Sequence, residues 1–373
     1  MSTPTTLGYR MPAEWEPHAA TWIAWPHEAS DWPAPGKLAA VRWVYVEVVR
    51  HLVAGERVRI LVRDAALARA ARRMLRAGGV DLTQVDFYRW PTDRSWTRDS
   101  LPTFVRDRRG QRGIVLWQFN AWAKYRNWRQ DAAAAEALVR RLRLPVWRPL
   151  VPGRRGPVRA VLEGGAIDVN GRGTVLATEE CLLSPIQARN PGLDRAGVER
   201  LLADHLGIRR VLWLAEGIVG DDTHGHIDDL ARFVGPHTVA LATCHDRRDP
   251  NYARLGANRR RLARMTDQDG IPLTIVELPM PAPLTFDGQR LPASYANFYV
   301  GNAAVLVPTF NDPNDRLALD LLAGCFPGRR IVGIHAVDLV LGLGTLHCMT
   351  QQEPAGATKD GARRRRLRTP TRS

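Results

Sequence analysis

Apolar residues in this chain gather into short β-rich runs at 57–62, 113–119, 174–177, 211–214, 238–243, 273–278, 303–307 and 330–335. Between them lie stretches whose apolar positions follow helical spacing, at 38–53, 65–75, 131–142, 195–206, 252–265 and 315–322. Short strands alternating with helix-length segments predict an α/β fold. No long Pro-, Gly- or Ser-rich linker divides the chain, and 153–157 reads as a loop, so one continuous domain is expected. The alternation returns several times without evident sequence self-similarity, which leaves a repeat architecture open.

Composition narrows the class. A chain of 373 residues, 45% apolar and 24% charged, can bury a large core and is ordinary for a globular protein. The net charge of +15 comes from arginine, since only Lys37, Lys124 and Lys359 are lysines. The arginines are scattered, which is a weak signal for nucleic acid; no specific nucleic-acid partner is expected. Their densest run, Arg363 to Arg366, follows the last apolar segment and reads as part of a disordered, solvated tail over 357–373. Residues 1–9 read as an N-terminal tail. Cys181, Cys244, Cys325 and Cys348 are widely spaced with no CxxC, which argues against a disulfide scaffold or zinc knuckle. The N-terminus has no basic-then-apolar signal pattern, and no run of 18 apolar residues occurs, so a cytoplasmic protein without membrane spans is expected.

Five segments carry polar residues where packing alone would not put them. Cys348 ends a glycine-loosened turn, 342–344, and precedes Thr350, Gln351 and Gln352, which marks it as presented to a polar cleft. A buried packing role is the ordinary alternative for any single cysteine. Asp99 lies between Trp96 and Pro102, and Glu163 precedes Gly164 and Gly165; either could simply start a turn. The segment 220–229 holds Asp221, Asp222, His224, His226, Asp228 and Asp229 and runs straight into apolar 230–234, which a solvated face does not explain. Ser294 to Phe298 carries Asn297 into what reads as an apolar strand. A substrate with a delocalised cation accounts for the set: carboxylates bind a planar guanidinium bidentately, a thiolate attacks its carbon, and a histidine moves protons.

Taken in order, these motifs resemble the agmatine deiminase family, among the guanidine-modifying enzymes that include arginine and peptidyl-arginine deiminases. The resemblance rests on Trp96-Thr97-Arg98-Asp99, Glu163-Gly164-Gly165, Asp222 to Asp228, Ser294 to Tyr299 and His347 to Pro354. Met11 to Trp15, Phe119 to Trp122 and Arg189-Asn190-Pro191 also match, so the likeness spans about 10–356. It implies a five-bladed pseudosymmetric α/β propeller, the pentein fold, filled by a single catalytic domain. It implies Cys348 as nucleophile, His226 as general acid and base, Asp99 and Asp228 on the guanidinium, and Glu163 orienting the histidine. Trp96, Asp222, His224 and Asn297 are the expected substrate contacts. No metal or organic cofactor is implied; the partner is a small-molecule guanidine, agmatine foremost, and a homo-oligomer is expected by the same likeness. Two positions depart from the family: His224 stands where Asn or Asp is usual, and Thr345-Leu346 replaces Gly-Ile. The first is expected to alter contacts to the distal end of the substrate.

Three other readings compete. His224-Gly225-His226-Ile227-Asp228 fits the HxHxD pattern of metal-dependent hydrolases, although Asp229 stands where a further histidine is usual. An amidinotransferase would use the same thiol, histidine and carboxylates but deliver the group to an amine. A basic nucleic-acid module would bind with steep salt dependence, but nothing here resembles a recognition helix. Cys181, Cys244 and Cys325 are expected to serve packing.

Overall fold

The computed structural model describes residues 2–357, so most of the basic C-terminal tail lies outside the described residues. The strands form five sheets of three or four strands and two short two-stranded ribbons. The chemistry of the parts is local and ordinary. Helix Ala65–Ala77 begins where the Asp64 carboxylate accepts from Leu67 N at 2.8 Å. Helix Arg195–Leu206 starts on Asp194 in the same way and stops at Gly207, whose φ of 73° needs a residue without Cβ. The main apolar core packs helices Lys37–Leu52 and Asn314–Cys325 against strands Arg57–Val62 and Ala304–Thr309.

One unit recurs. Asp168–Val169 runs antiparallel to Thr174–Thr178, which is parallel to Arg210–Leu214 after a helical crossover. Ala231–Gly235, Thr238–Thr243 and Thr274–Pro279 repeat the pattern, as do Tyr299–Val300, Ala304–Thr309 and Arg330–His335. Thr103–Asp107, Arg112–Val115 and Val146–Trp147 form a fourth copy, extended by Tyr9–Arg10. The fifth is assembled from both ends of the chain: Gln351–Pro354 runs antiparallel to His18–Ala24, which is followed by parallel Arg57–Val62 and Val85–Arg89. The repeat left open by the sequence is thus present as topology.

Within the N-terminal tail read over 1–9, Thr5 Oγ1 donates to Ala203 O at 2.6 Å, and Tyr9 with the following Arg10 pairs with Thr103–Asp107. One expectation is corrected: residues 294–298 form a turn, not a strand, and pairing begins only at Tyr299. Among the described residues, no helix is long and apolar enough to cross a membrane.

The join between chain ends is held by charge as well as by strand pairing. Glu353 is fully buried; it accepts from Trp22 Nε1 at 2.9 Å and pairs with both Arg59 and Arg112. Removing one member of a buried ion network strands its partners in low dielectric. Glu353→Ala is expected to lower unfolding free energy by about 3 kcal/mol in urea titration. A loss under about 1 kcal/mol would mean that strand pairing alone closes the sheet.

Candidate functional site

The turn immediately before the antiparallel strand of each repeated unit delivers a residue to one place. Thr97–Ser100 brings Asp99, Gly164–Ala166 follows Glu163, and Ile227–Asp229 carries Asp228 with His226 just ahead of it. The turn at 295–296 leads to Asn297, and the turn at 346–349 holds Cys348. The turns bind one another. Gly165 N donates to Asp99 Oδ1 at 2.9 Å, and Arg98 N to Cys348 O at 3.1 Å. His347 N donates to Asn297 O at 3.1 Å, and Asn297 Nδ2 to Asp229 Oδ1 at 3.0 Å. His226 Nε2, 3.7 Å from Glu163 Oε2, bridges the remaining gap. Gly165 is required by this closeness: a Cβ there would sit 2.5 Å from His226 Nδ1 and 2.9 Å from Asp99 Oδ1.

The predicted five thus converge. His226 Nδ1 lies 3.9 Å from both Asp99 Oδ2 and Asp228 Oδ1, and Cys348 Sγ lies 3.7 Å from Asp228 Oδ2. A narrow cavity of about 30 Å³ opens onto Asp99 and Cys348, walled by Trp96, Trp122, Tyr125 and Leu343 with Asp222 and Arg94 among its lining. Trp96 and Asp222 both line it, Asp222 pairing with Lys124 and accepting from Tyr125 Oη at 2.6 Å.

Two expected substrate contacts lie elsewhere. Asn297 sits behind the thiol, its Nδ2 3.1 Å from Cys348 Sγ and its Oδ1 accepting from Thr345 Oγ1 at 2.7 Å, and it does not line the cavity. His224 faces outward from the site, with Nε2 3.0 Å from Ser184 Oγ and Nδ1 4.0 Å from Glu180 Oε1. Its φ is +66°, a left-handed conformation in which Asn, Asp and His are the enriched non-glycine residues. What Asn, Asp and His share at this position is tolerance of the backbone.

That geometry also removes the HxHxD set, since His224 and His226 point apart. The metal-like grouping among the described residues is instead Glu163, Cys181 and His226, whose ligand atoms lie within 4.8 Å of one another. Cys181 is therefore not mere packing; it borders the site. A dication there would meet the Arg189 guanidinium, whose Nε is 3.1 Å from Glu163 Oε1, so the donor set suits a cation poorly. Cys325 and Cys244 lie away from these turns. Cys244 helps line a larger, open groove of about 750 Å³ at the ends of Thr238–Thr243 and Thr274–Pro279, where Arg290 is already paired with Asp249.

Several site residues escaped the sequence reading. Trp122 Nε1 donates to Asp99 Oδ2 at 2.8 Å, and Arg189 grips Glu163. His347 spans Asp228 and Glu14, and Glu14 also takes Arg98 and Arg232. All but Arg232 lie inside segments that carried the family resemblance, but a matched segment does not say which of its side chains meet across the fold.

Charge is distributed unevenly. Burial works against Glu163, yet Arg189 and His226 outweigh it and hold its carboxyl down to about 2. Burial likewise opposes Asp228, which His347 and His226 keep below the usual carboxylate range. Asp99 is raised by burial, with Asp228 and Glu163 adding to the rise. Burial also opposes a charged His226, but the Asp99 charge, with Cys181 and Glu163 beside it, lifts it well above the usual histidine range. Burial and then Asp228, Asp229 and Asp99 push the Cys348 thiol well up.

Comparison with known proteins shows the family and the fold. Residues 10–354 match the family described as Porphyromonas-type peptidyl-arginine deiminase. The chain belongs to that family. It is 36% identical to the agmatine deiminase of Pseudomonas fluorescens SBW25, covering 95% of this chain and 98% of that one. An Enterococcus faecalis agmatine deiminase structure, described as catalysing its reaction, superposes with a TM-score of 0.86 at 34% identity, covering 95% of this chain and 98% of that one. A substrate-bound, cysteine-to-serine C. jejuni agmatine deiminase superposes at 0.81 with 28% identity over 94% of this chain and 97% of that one. An amidinotransferase from Microseira wollei, 13% identical with a TM-score of 0.50, shares the mixed α/β fold alone. The Porphyromonas-type family thus supplies the frame for the charge pattern above.

That pattern has a measurable consequence. A thiol held up by burial and carboxylates stays protonated near neutrality. Alkylation of Cys348 by iodoacetamide, followed by mass spectrometry of its peptide, is expected to keep rising from about pH 7 to beyond about pH 9. A plateau below about pH 8 would contradict a raised thiol.

Proposed function

We propose that this protein hydrolyses agmatine to N-carbamoylputrescine and ammonia through a covalent cysteine intermediate. The observation that carries the reading is the meeting of a buried thiol, a buried histidine and two carboxylates through contacts of 3.7 to 3.9 Å, behind a cavity that Cys348 and Asp99 line. Likeness to agmatine deiminases over nearly the whole chain supports the substrate. Trp96 and Leu343 offer apolar walls to the alkyl linker, and Asp222 would exchange Lys124 for the distal ammonium.

In this reading the guanidinium lies between Asp99 and Asp228. Its charge offsets the carboxylates that keep Cys348 protonated, so the thiol ionises as substrate enters, releasing its proton to solvent. The thiolate attacks the guanidinium carbon, forming a C–S bond. His226, an imidazolium in the resting site, gives its proton to the departing nitrogen, which leaves as ammonia. The S-alkylthiouronium is then attacked by water, whose proton goes to the now neutral His226. Collapse breaks the C–S bond, and loss of a proton leaves the ureido product. Glu163, itself fixed by Arg189, orients the histidine.

We further propose that the five sheets are blades of a pseudosymmetric α/β propeller; the recurrence of one strand–strand–helix–strand unit supports this. The protein is proposed to work in the cytoplasm as a homo-oligomer, without a metal or organic cofactor.

Purified protein should release ammonia and a ureido product from agmatine, and more slowly from arginine; no ammonia from any guanidine would refute the reading. Cys348→Ser should lose about a thousandfold or more in rate while keeping the fold, since a hydroxyl is a far weaker nucleophile here. His224→Asn should leave kcat/KM for agmatine within about twofold, because Asn tolerates the same left-handed backbone. A gain well beyond that would return His224 to the substrate.

A further inference from the structure

His347 precedes the thiol, and both of its ring nitrogens are taken. Nδ1 is 2.7 Å from Asp228 Oδ2 and Nε2 is 2.8 Å from Glu14 Oε2. An ionised carboxylate only accepts hydrogen bonds, so two such contacts make the ring a double donor. With neither nitrogen open, His347 is no proton shuttle.

The far end of the contact is rigid. Glu14 also accepts from Val300 N at 2.8 Å, Arg98 Nη2 at 3.1 Å and Arg232 Nη2 at 2.9 Å. Glu14 is 6% exposed and His347 2%, so neither relaxes into water. The near end is asymmetric. Asp228 Oδ2 takes His347 Nδ1 and lies 3.7 Å from Cys348 Sγ, whereas its buried Oδ1, 3.9 Å from His226 Nδ1, has no hydrogen-bond partner among the described residues. An unpartnered buried carboxylate oxygen is costly unless something else fills it.

We propose that His347, anchored by Glu14, is a positioning residue that clamps one oxygen of Asp228 and thereby presents the other to the planar cation of the substrate. This rests on the guanidine-hydrolase reading and adds a residue to it. Arg98 ties the clamp to the nucleophile: its backbone N–H donates to Cys348 O at 3.1 Å while its guanidinium holds Glu14. One assembly therefore sets both the acceptor and the attacking atom.

The test compares two alkylating agents on Cys348, each followed by mass spectrometry. Chloroacetamidine carries a planar amidinium that needs Asp228; iodoacetamide is neutral and does not. The wild-type protein should favour the amidinium reagent. Glutamine can donate to Asp228 or to Glu14 but cannot bridge them. His347→Gln should therefore cut that preference by about tenfold or more, with the iodoacetamide rate little changed. If His347→Gln fails to fold, Glu14→Gln, which loosens the anchor and leaves the imidazole present, should show the same selective loss. An unchanged preference, a parallel fall in both rates, or no amidinium preference in the wild type would overturn the clamp. Because no turnover is measured, failure with agmatine would count against the proposed substrate and leave this result standing. If agmatine is turned over, KM should rise in His347→Gln by more than kcat falls.

Discussion

The constraint on which the rest of the structure depends is the burial of many acids in one small volume. Glu14, Asp99, Glu163, Asp228 and Asp229 are each 6% exposed or less. Like charges at such spacing in low dielectric repel strongly, and each loses its hydration. The fold answers with cations set behind the cavity. Arg189 lies on Glu163, Arg232 and Arg98 on Glu14, and His347 between Glu14 and Asp228. The compensation is incomplete on one side. Asp99 has an indole N–H and a backbone N–H but no arginine, and burial raises it. Only His226 offsets Asp99, and Asp229, without an arginine as well, is raised well above the usual range by burial and by Asp228 and Asp221. The missing positive charge falls at the cavity, where a guanidinium would supply it.

Such a site needs several chain segments brought within a few ångströms and held there. A helix or strand interior would supply residues at fixed spacing from one direction only. Here five separate turns, each pinned by the strand that follows it, approach the centre and hydrogen-bond to their neighbours. The last of these turns carries Cys348, the proposed nucleophile, and its strand completes the sheet begun at His18–Ala24. Anything that loosens the join of the chain ends therefore moves Cys348 as well.

Much of this was legible in the residues. Arg57–Val62, Thr238–Thr243, Arg330–His335 and helix Arg195–Leu206 have the bounds read from apolar spacing, and all but Arg330–His335, where Ile334 alone is buried, bury a continuous face. The antiparallel strands that lead each unit were mostly missed. Asp168–Val169 and Tyr299–Val300 are two residues long and carry no periodicity to read. Cys348, His226 and the three carboxylates stood out because polar groups in apolar surroundings need a reason. Glu14, Trp122 and Arg189 did not, since their partners lie 23 or more residues away. His224 misled for a different cause: a substitution beside a catalytic group reads as chemistry, and the positive φ that explains it has no signature in the side chain.

The same charge pattern bears on direction. In the proposed reaction Cys348 begins as a thiol and His226 as an imidazolium, so the proposed nucleophile is quiet until a cation arrives and the proposed acid is ready. A cationic guanidinium lowers the cost of forming the thiolate, which confines reactivity to the moment of occupancy. The ureido product is neutral at the reacting end. It no longer offsets Asp99 and Asp228, so the interaction that drew the substrate in is lost as the carbon–nitrogen bond is hydrolysed. Conversion from cation to neutral group thus weakens binding at the step where release is required, and the raised thiol is restored by the carboxylates that the substrate had masked.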